Sequence, residues 1–73
     1  MSKLPQVSGA DLVGALQKMS FTVRRQHGSH IIMRRDNPFA QTVVPNHRQI
    51  DRGTLRAILR QTEISADELN KLL

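Results

Sequence analysis

The sequence predicts an α+β fold of order α-β-β-β-α, with a three-stranded antiparallel sheet and a short C-terminal helix. Apolar residues recur at helical spacing after Ser8 and again after Arg52, and they alternate with polar ones after Phe21. Turn residues cut the stretch between Phe21 and Pro45 into three short pieces. Strands so close in sequence form a meander. A sheet of this kind needs only one apolar face, so both long helices can cover one side and leave the other wet. The chain of 73 residues reads as a single domain, 1–73, and a domain this small buries only about 60 % of its unfolded surface, so its core must be thin.

Each element has its own signal. Ser8 followed by Asp11 resembles a capping box with Asp in place of Glu, and Leu12, Val13, Leu16 and Met19 follow at helical spacing, which places the first helix over Gly9–Met19. From Phe21 a period of two sets Phe21, Val23 and Arg25 on one side and Thr22, Arg24 and Gln26 on the other, until Gly28 turns the chain. The second strand covers His30–Arg34, where Ile31, Ile32 and Met33 in succession leave its inward face open. Asp36, Asn37 and Pro38 are turn residues, and Gln41–Val44 is a third strand stopped by Pro45. After a polar connection, Gly53 opens a helix with Leu55, Ile58 and Leu59 in one stripe. Ser65 and Glu68 form a second capping box, starting a short helix with Leu69, Leu72 and Leu73 facing inward. Residues 1–7 are expected to be a flexible N-terminal extension. This element order is that of the double-stranded-RNA-binding domain, although fold alone does not fix function.

Charge narrows the partners. The net charge is +5, and residues 12–35 carry Lys18, Arg24, Arg25, Arg34 and Arg35 with no acid. Residues 47–60 carry Arg48, Arg52, Arg56 and Arg60 against Asp51 alone. Clustered cations gain by releasing the counterions condensed on phosphates, so a polyanion is the expected partner. In the second helix Arg52, Arg56 and Arg60 share one face, where like charges oppose helix formation by about 0.2–0.5 kcal/mol per pair. With two aromatic residues, Phe21 assigned to the core and only Phe39 left over, backbone and shape contacts must dominate over base stacking. The absence of cysteine excludes disulfide and thiolate chemistry. No apolar run approaches the ~18 residues of a membrane span, and MSKLPQVSGAD lacks a signal peptide's apolar stretch. The protein is expected to be soluble, cytoplasmic and without membrane contact.

The candidate acid–base groups lie in "RRQHGSHIIMRR", Arg24–Arg35. An imidazole can hold or release a proton at cellular pH, and RNA carries its own nucleophile in the 2′-OH. A base to take that proton and cations for the charge developing on phosphorus therefore suffice for cleavage. His30 follows Gly28 and Ser29 between two arginine pairs; His27 sits at the turn, and His47 follows Pro45. A metal site from His27 and His30 lacks acidic or thiol ligands to complete it.

"RRQHGSHIIM", "VVPNH" and "RGTLRAILRQTEIS" together resemble, in order and spacing, the motifs of the HicA family of toxin mRNA interferases over nearly the whole span from Asp11 to Leu69. The resemblance implies a double-stranded-RNA-binding-domain-like fold and endoribonuclease activity on mRNA; because no metal constellation is visible in the sequence, that activity is expected to be metal-independent and to need no cofactor. It implies a single catalytic histidine, which maps onto His30, with Gly28 and Ser29 as the supporting turn. Arg24, Arg25, Arg34, Arg56, Arg60 and His47 are then the expected RNA-binding residues. A HicB-type antitoxin is the implied partner, with DNA contacted only indirectly through the antitoxin complex. Two other readings stand beside it. One is a non-catalytic RNA-binding module on the same fold, with His30 as a contact. The other, a helix-turn-helix DNA binder, fails on charge, because "ADELNKLL" carries two acids and one lysine where a groove reader needs cations and amides.

Overall fold

The computed structural model describes residues 3–73, so the first two residues of the expected extension lie outside the described residues. The elements follow the predicted order: α1 (Gly9–Lys18), β1 (Thr22–His27), β2 (His30–Asp36), β3 (Phe39–Pro45), α2 (Arg52–Thr62) and α3 (Ala66–Leu72). The strands form one antiparallel meander in the order β1-β2-β3. Among the described residues no helix is long and apolar enough to cross a membrane.

The central strand decides which face is which. Ile31 and Met33 are buried, and because successive side chains alternate, His30, Ile32 and Arg34 point the other way. That settles the face the run of three apolar residues leaves open. Along β3 the buried Ala40, Thr42 and Val44 alternate with the exposed Phe39, Gln41 and Val43. Leu12 and Leu16 of α1, Leu55 and Ile58 of α2, and Leu69 of α3 join Phe21, Met33 and Val44 in the core, each no more than 2 % exposed. The buried hydroxyls are satisfied: Thr42 donates to Gln61 Oε1 at 2.7 Å and Thr62 to the Ile58 carbonyl at 2.8 Å.

Local chemistry sets the helix ends. Ser8 Oγ accepts the Asp11 amide at 3.0 Å. At α3 both halves of the capping box form, Glu68 N–H to Ser65 Oγ and Ser65 N–H to Glu68 Oε1, each 3.0 Å. Two helices end alike. Ser20 (φ 72°) and Glu63 (φ 58°) take the left-handed conformation. The next amides, of Phe21 and Ile64, reach back to the Leu16 and Leu59 carbonyls, both at 3.1 Å. These are Schellman caps, and each turns an apolar residue, Phe21 or Ile64, into the core.

Several boundaries differ from those predicted. Asp51, whose Oδ2 accepts the Gly53 and Thr54 amides, is the cap of α2, so that helix starts at Arg52 rather than at Gly53. β2 and β3 extend toward each other until Asp36 pairs with Phe39, so the turn shrinks to Asn37 and Pro38. Leu73 is exposed, not inward, because α3 ends at Leu72. The N-terminal segment from Lys3 is docked where a free extension is expected. Val7 is buried with its carbonyl accepting the Ile50 amide at 2.8 Å, and the Lys3 carbonyl accepts Asn70 Nδ2 at 3.2 Å. The alternation predicted for β1 also fails. Pairing shifts register between Val23 and Arg25, a β-bulge at Arg24, and every residue of the strand is exposed, Val23 included.

Candidate functional site

The open face of the sheet carries the candidate site. At its closed end the β1–β2 hairpin turns through Gly28 and Ser29, with His27 and His30 directly paired across it. Gly28 has φ +56°, and a positive φ at the first of two turn residues is the demand of a type II′ hairpin. Paired residues of this kind hold their Cβ atoms about 4.5–5.5 Å apart, so the turn fixes His30 beside His27. His30 is also the register partner of Pro45 in β3.

The loop after Pro45 brings in the third histidine. Asn46 N–H donates to the Ser29 carbonyl at 2.6 Å, His47 N–H to the Pro45 carbonyl at 2.9 Å, and Gly9 N–H to the His47 carbonyl at 2.8 Å. The hairpin turn, the V-P-x-H segment and the start of α1 are thus tied together. Gly9 has no room for a side chain, since a Cβ there would run into the Pro45 carbonyl oxygen and lie 2.9 Å from Asn46 Cα. His30 and His47 then line one depression of about 340 Å³ with Val43, Pro45, Asp51 and Thr54. The Asp51 carboxylate in that wall is engaged in capping α2.

A second cleft lies further along the same face, about 290 Å³, lined by Arg24, Arg25, Ile32, Arg34 and Gln41. In a regular strand Arg24 and Arg25 would point to opposite faces; the bulge lets both line one cleft. Arg34 Nε stands 2.8 Å from Asp36 Oδ1, close enough for an ion pair, yet the atom makes no directed hydrogen bond. With Asp36 largely exposed, solvent screens that pair. Arg35 leaves the basic group, for its guanidinium lies 4.7 Å from the centre of the buried Phe21 ring.

The arginines of α2 stand apart. Thr54 and Gln61 face β3 across a groove that Ala57 also lines. At 3.6 residues per turn Arg52, Arg56 and Arg60 centre roughly 130° around the helix from that flank. All three are exposed. Sequence spacing correctly gives Arg56 and Arg60 a common stripe, but the fold does not bring them to His30. Asp51, Thr54, Gln41 and Ile32 also line the two clefts, beyond the residues that the sequence singles out. Only Asp51 had a local signal, as a capping residue just ahead of an apolar stripe; the others come into place through strand register. Among the described residues no group of three or more His, Cys, Asp or Glu converges as a metal centre would require.

An α-β-β-β-α domain of the double-stranded-RNA-binding type, covered by helices on one side and bearing histidines and arginines on the other, is the class these features define. The chain belongs to the HicA toxin family of bacterial toxin–antitoxin systems, whose family model matches residues 9–64, well over half of its length. That match begins at the glycine packed against the His47 loop. No curated protein and no solved structure gives a significant match.

Proposed function

We propose that the protein is a toxin endoribonuclease that cleaves mRNA through His30, needs no metal or other cofactor, and is neutralised by a HicB-type antitoxin in the cytoplasm. The observation that carries this reading is the position of His30. It is an exposed imidazole at the closed end of a hairpin, lining the depression it shares with His47, with the arginine cleft further along the same face, and it lies inside the family's matched segment. In the proposed reaction the imidazole takes the proton of a 2′-OH, and the 2′-oxygen bonds to phosphorus as the P–O5′ bond breaks. The departing 5′-oxygen takes a proton from water while the imidazolium returns its own to solvent, leaving a 2′,3′-cyclic phosphate and a 5′-hydroxyl. Arg24, Arg25 and Arg34 offset the charge on the phosphates, and Gly28 and Ser29 orient His30 through the turn. His47 contacts RNA across the depression, while Arg56 and Arg60 hold the backbone of a longer RNA on a separate flank. The antitoxin presents acidic or phosphate-mimicking groups to the basic sheet face and excludes RNA from it. DNA is met only through the toxin–antitoxin complex.

Cleavage and salt-dependent binding, measured in parallel on purified variants with EDTA present, test this. His30→Ala is expected to lose cleavage by ~10²–10⁴-fold, the usual range for acid–base catalysis, with RNA affinity retained. Arg56→Ala or Arg60→Ala is expected to lower the log–log salt slope of binding by about 0.7–0.9 per lost phosphate contact. Binding lost along with cleavage in His30→Ala would make the domain a non-catalytic RNA binder with His30 as a contact. Full cleavage by that variant would remove His30 from the active site.

A further inference from the structure

The open sheet face holds one large side chain that neither the fold nor the proposed reaction uses. Phe39 is 68 % exposed, and its place is ordered with respect to everything else on that face. Along β3 it is followed on the same side by Gln41, Val43 and Pro45, and these pair in register with Arg34, Ile32 and His30 of β2, while Phe39 itself pairs with Asp36. The face therefore reads, from one end to the other, as an exposed ring, an arginine cleft, an apolar pair and a histidine. Its length from the Phe39 row to the His30 row is six residues, about 20 Å at ~3.3 Å per residue.

We propose that this face is a track for single-stranded RNA, with Phe39 as a stacking platform for a base lying beyond the arginine cleft from the cleaved bond. The inference rests on the nuclease reading only for its direction, from ring to histidine. The chemistry of each step along the track matches a single strand. Bases of any identity stack on an exposed ring, and a splayed strand offers its phosphates to a cationic cleft while its bases lie on apolar surface. Arg24, Arg25 and Arg34, gathered by the bulge, supply the phosphate site, and Ile32 with Val43, the latter 43 % exposed, supplies the apolar step. A duplex keeps its bases stacked on one another and leaves no base free for Phe39. Because the ring is exposed, its removal leaves the core untouched.

The test uses the full chain and a short, uncleavable 2′-O-methyl oligonucleotide, single-stranded and as the matching duplex, with binding followed by fluorescence anisotropy over a range of salt. Phe39→Ala is expected to weaken single-strand binding by about 5- to 150-fold, the range for one lost stacked base. Its salt slope should be unchanged and its melting temperature that of the wild type. Phe39→Trp restores binding and Phe39→Leu does not. Arg24→Ala is expected to lower the single-strand salt slope by about 0.7. Phe39→Ala binding the single strand as tightly as wild type, or losing duplex affinity equally, overturns the track. So does a loss confined to the antitoxin, which would assign the ring to a protein interface. Wild-type protein that binds and cleaves RNA while Phe39→Ala matches it refutes the track and leaves the nuclease reading standing. Wild type that binds the single strand through Phe39 yet cleaves nothing does the reverse.

Discussion

Ile31 and Met33 on one side of β2 and His30, Ile32 and Arg34 on the other are one peptide apart, yet they answer to different demands. The first pair belongs to the buried core cluster with residues of α1, α2 and β3, where each lost methylene leaves a gap that a thin core cannot refill. The second set reaches solvent, so its identities are set less by packing, and three of the four arginines in β1 and β2 gather on that face. The difference teaches that stability and chemistry are separated by the pleat of a single strand. A substitution's effect should then follow from which face it occupies, not from how near it lies in sequence to His30.

The largest effect should come from the covered face. Met33→Ala is expected to destabilise the domain by about 2–5 kcal/mol, whereas Arg34→Ala, one residue on, should stay within about 0.5 kcal/mol of wild type. Urea denaturation of both variants checks this, and comparable losses would break the two-face account.

Gly9→Ala probes the point where the two faces are coupled. A methyl group there runs into the backbone of Pro45 and Asn46, so α1 or the His47 loop must move. Overpacking of this kind costs about 1–3 kcal/mol. Because the same loop is bonded to the Ser29 carbonyl beside His30, cleavage by the fraction still folded should fall as well. Measuring kcat at a temperature where the variant is fully folded separates the two losses, and an unchanged kcat would show that the packed side does not position the site.

Glu63 belongs to the packed side alone. Its left-handed backbone is one that glycine adopts without strain, so Glu63→Gly is expected to raise stability by about 0.5–1 kcal/mol, with kcat unaltered. Thermal melting and a cleavage assay on the same sample sharpen the comparison by moving one quantity without the other.

The smallest effect concerns pH. The Ser65 backbone N–H, followed by the Ser65 hydroxyl and Lys71, holds the Glu68 carboxyl below its usual 4.5. A carboxyl depressed on folding contributes stability that is fully present above 4.5 and is lost as pH falls through its folded value. Denaturation midpoints of wild type and Glu68→Gln should therefore differ by a constant amount near neutral pH and converge in acid. A gap that widens in acid would reverse the sign assigned here.

Local patterns made most of this architecture legible. Ser8 and Ser65 mark helix starts because a capping hydroxyl needs only neighbours within a turn, and the stripe Leu55, Ile58 and Leu59 reports helical period directly. Where prediction missed, the deciding contact was distant in sequence. Val23 fits an inward strand position, but β1 is an edge strand bulged at Arg24, and a bulge depends on pairing with β2. The segment from Lys3 to Val7 has no periodicity of its own, and its docking depends on Ile50 and Asn70.

The same division runs through the candidate site. The sequence by itself determined the family, the basic balance and the place of the turn at Gly28, because motif identity, charge and a glycine's backbone freedom are properties of the chain read along its length. It also determined that Arg52, Arg56 and Arg60 share a helix face. Only the tertiary structure decided that those arginines line neither the His30 depression nor the arginine cleft and that Arg24 and Arg25 enter one cleft with Arg34. It alone set Gly9 against the loop of His47 and left Phe39 bare at the far end of the histidine's own sheet face. Strand register and helix docking make those choices, and both are settled by burying the whole core at once, which no short window of sequence records.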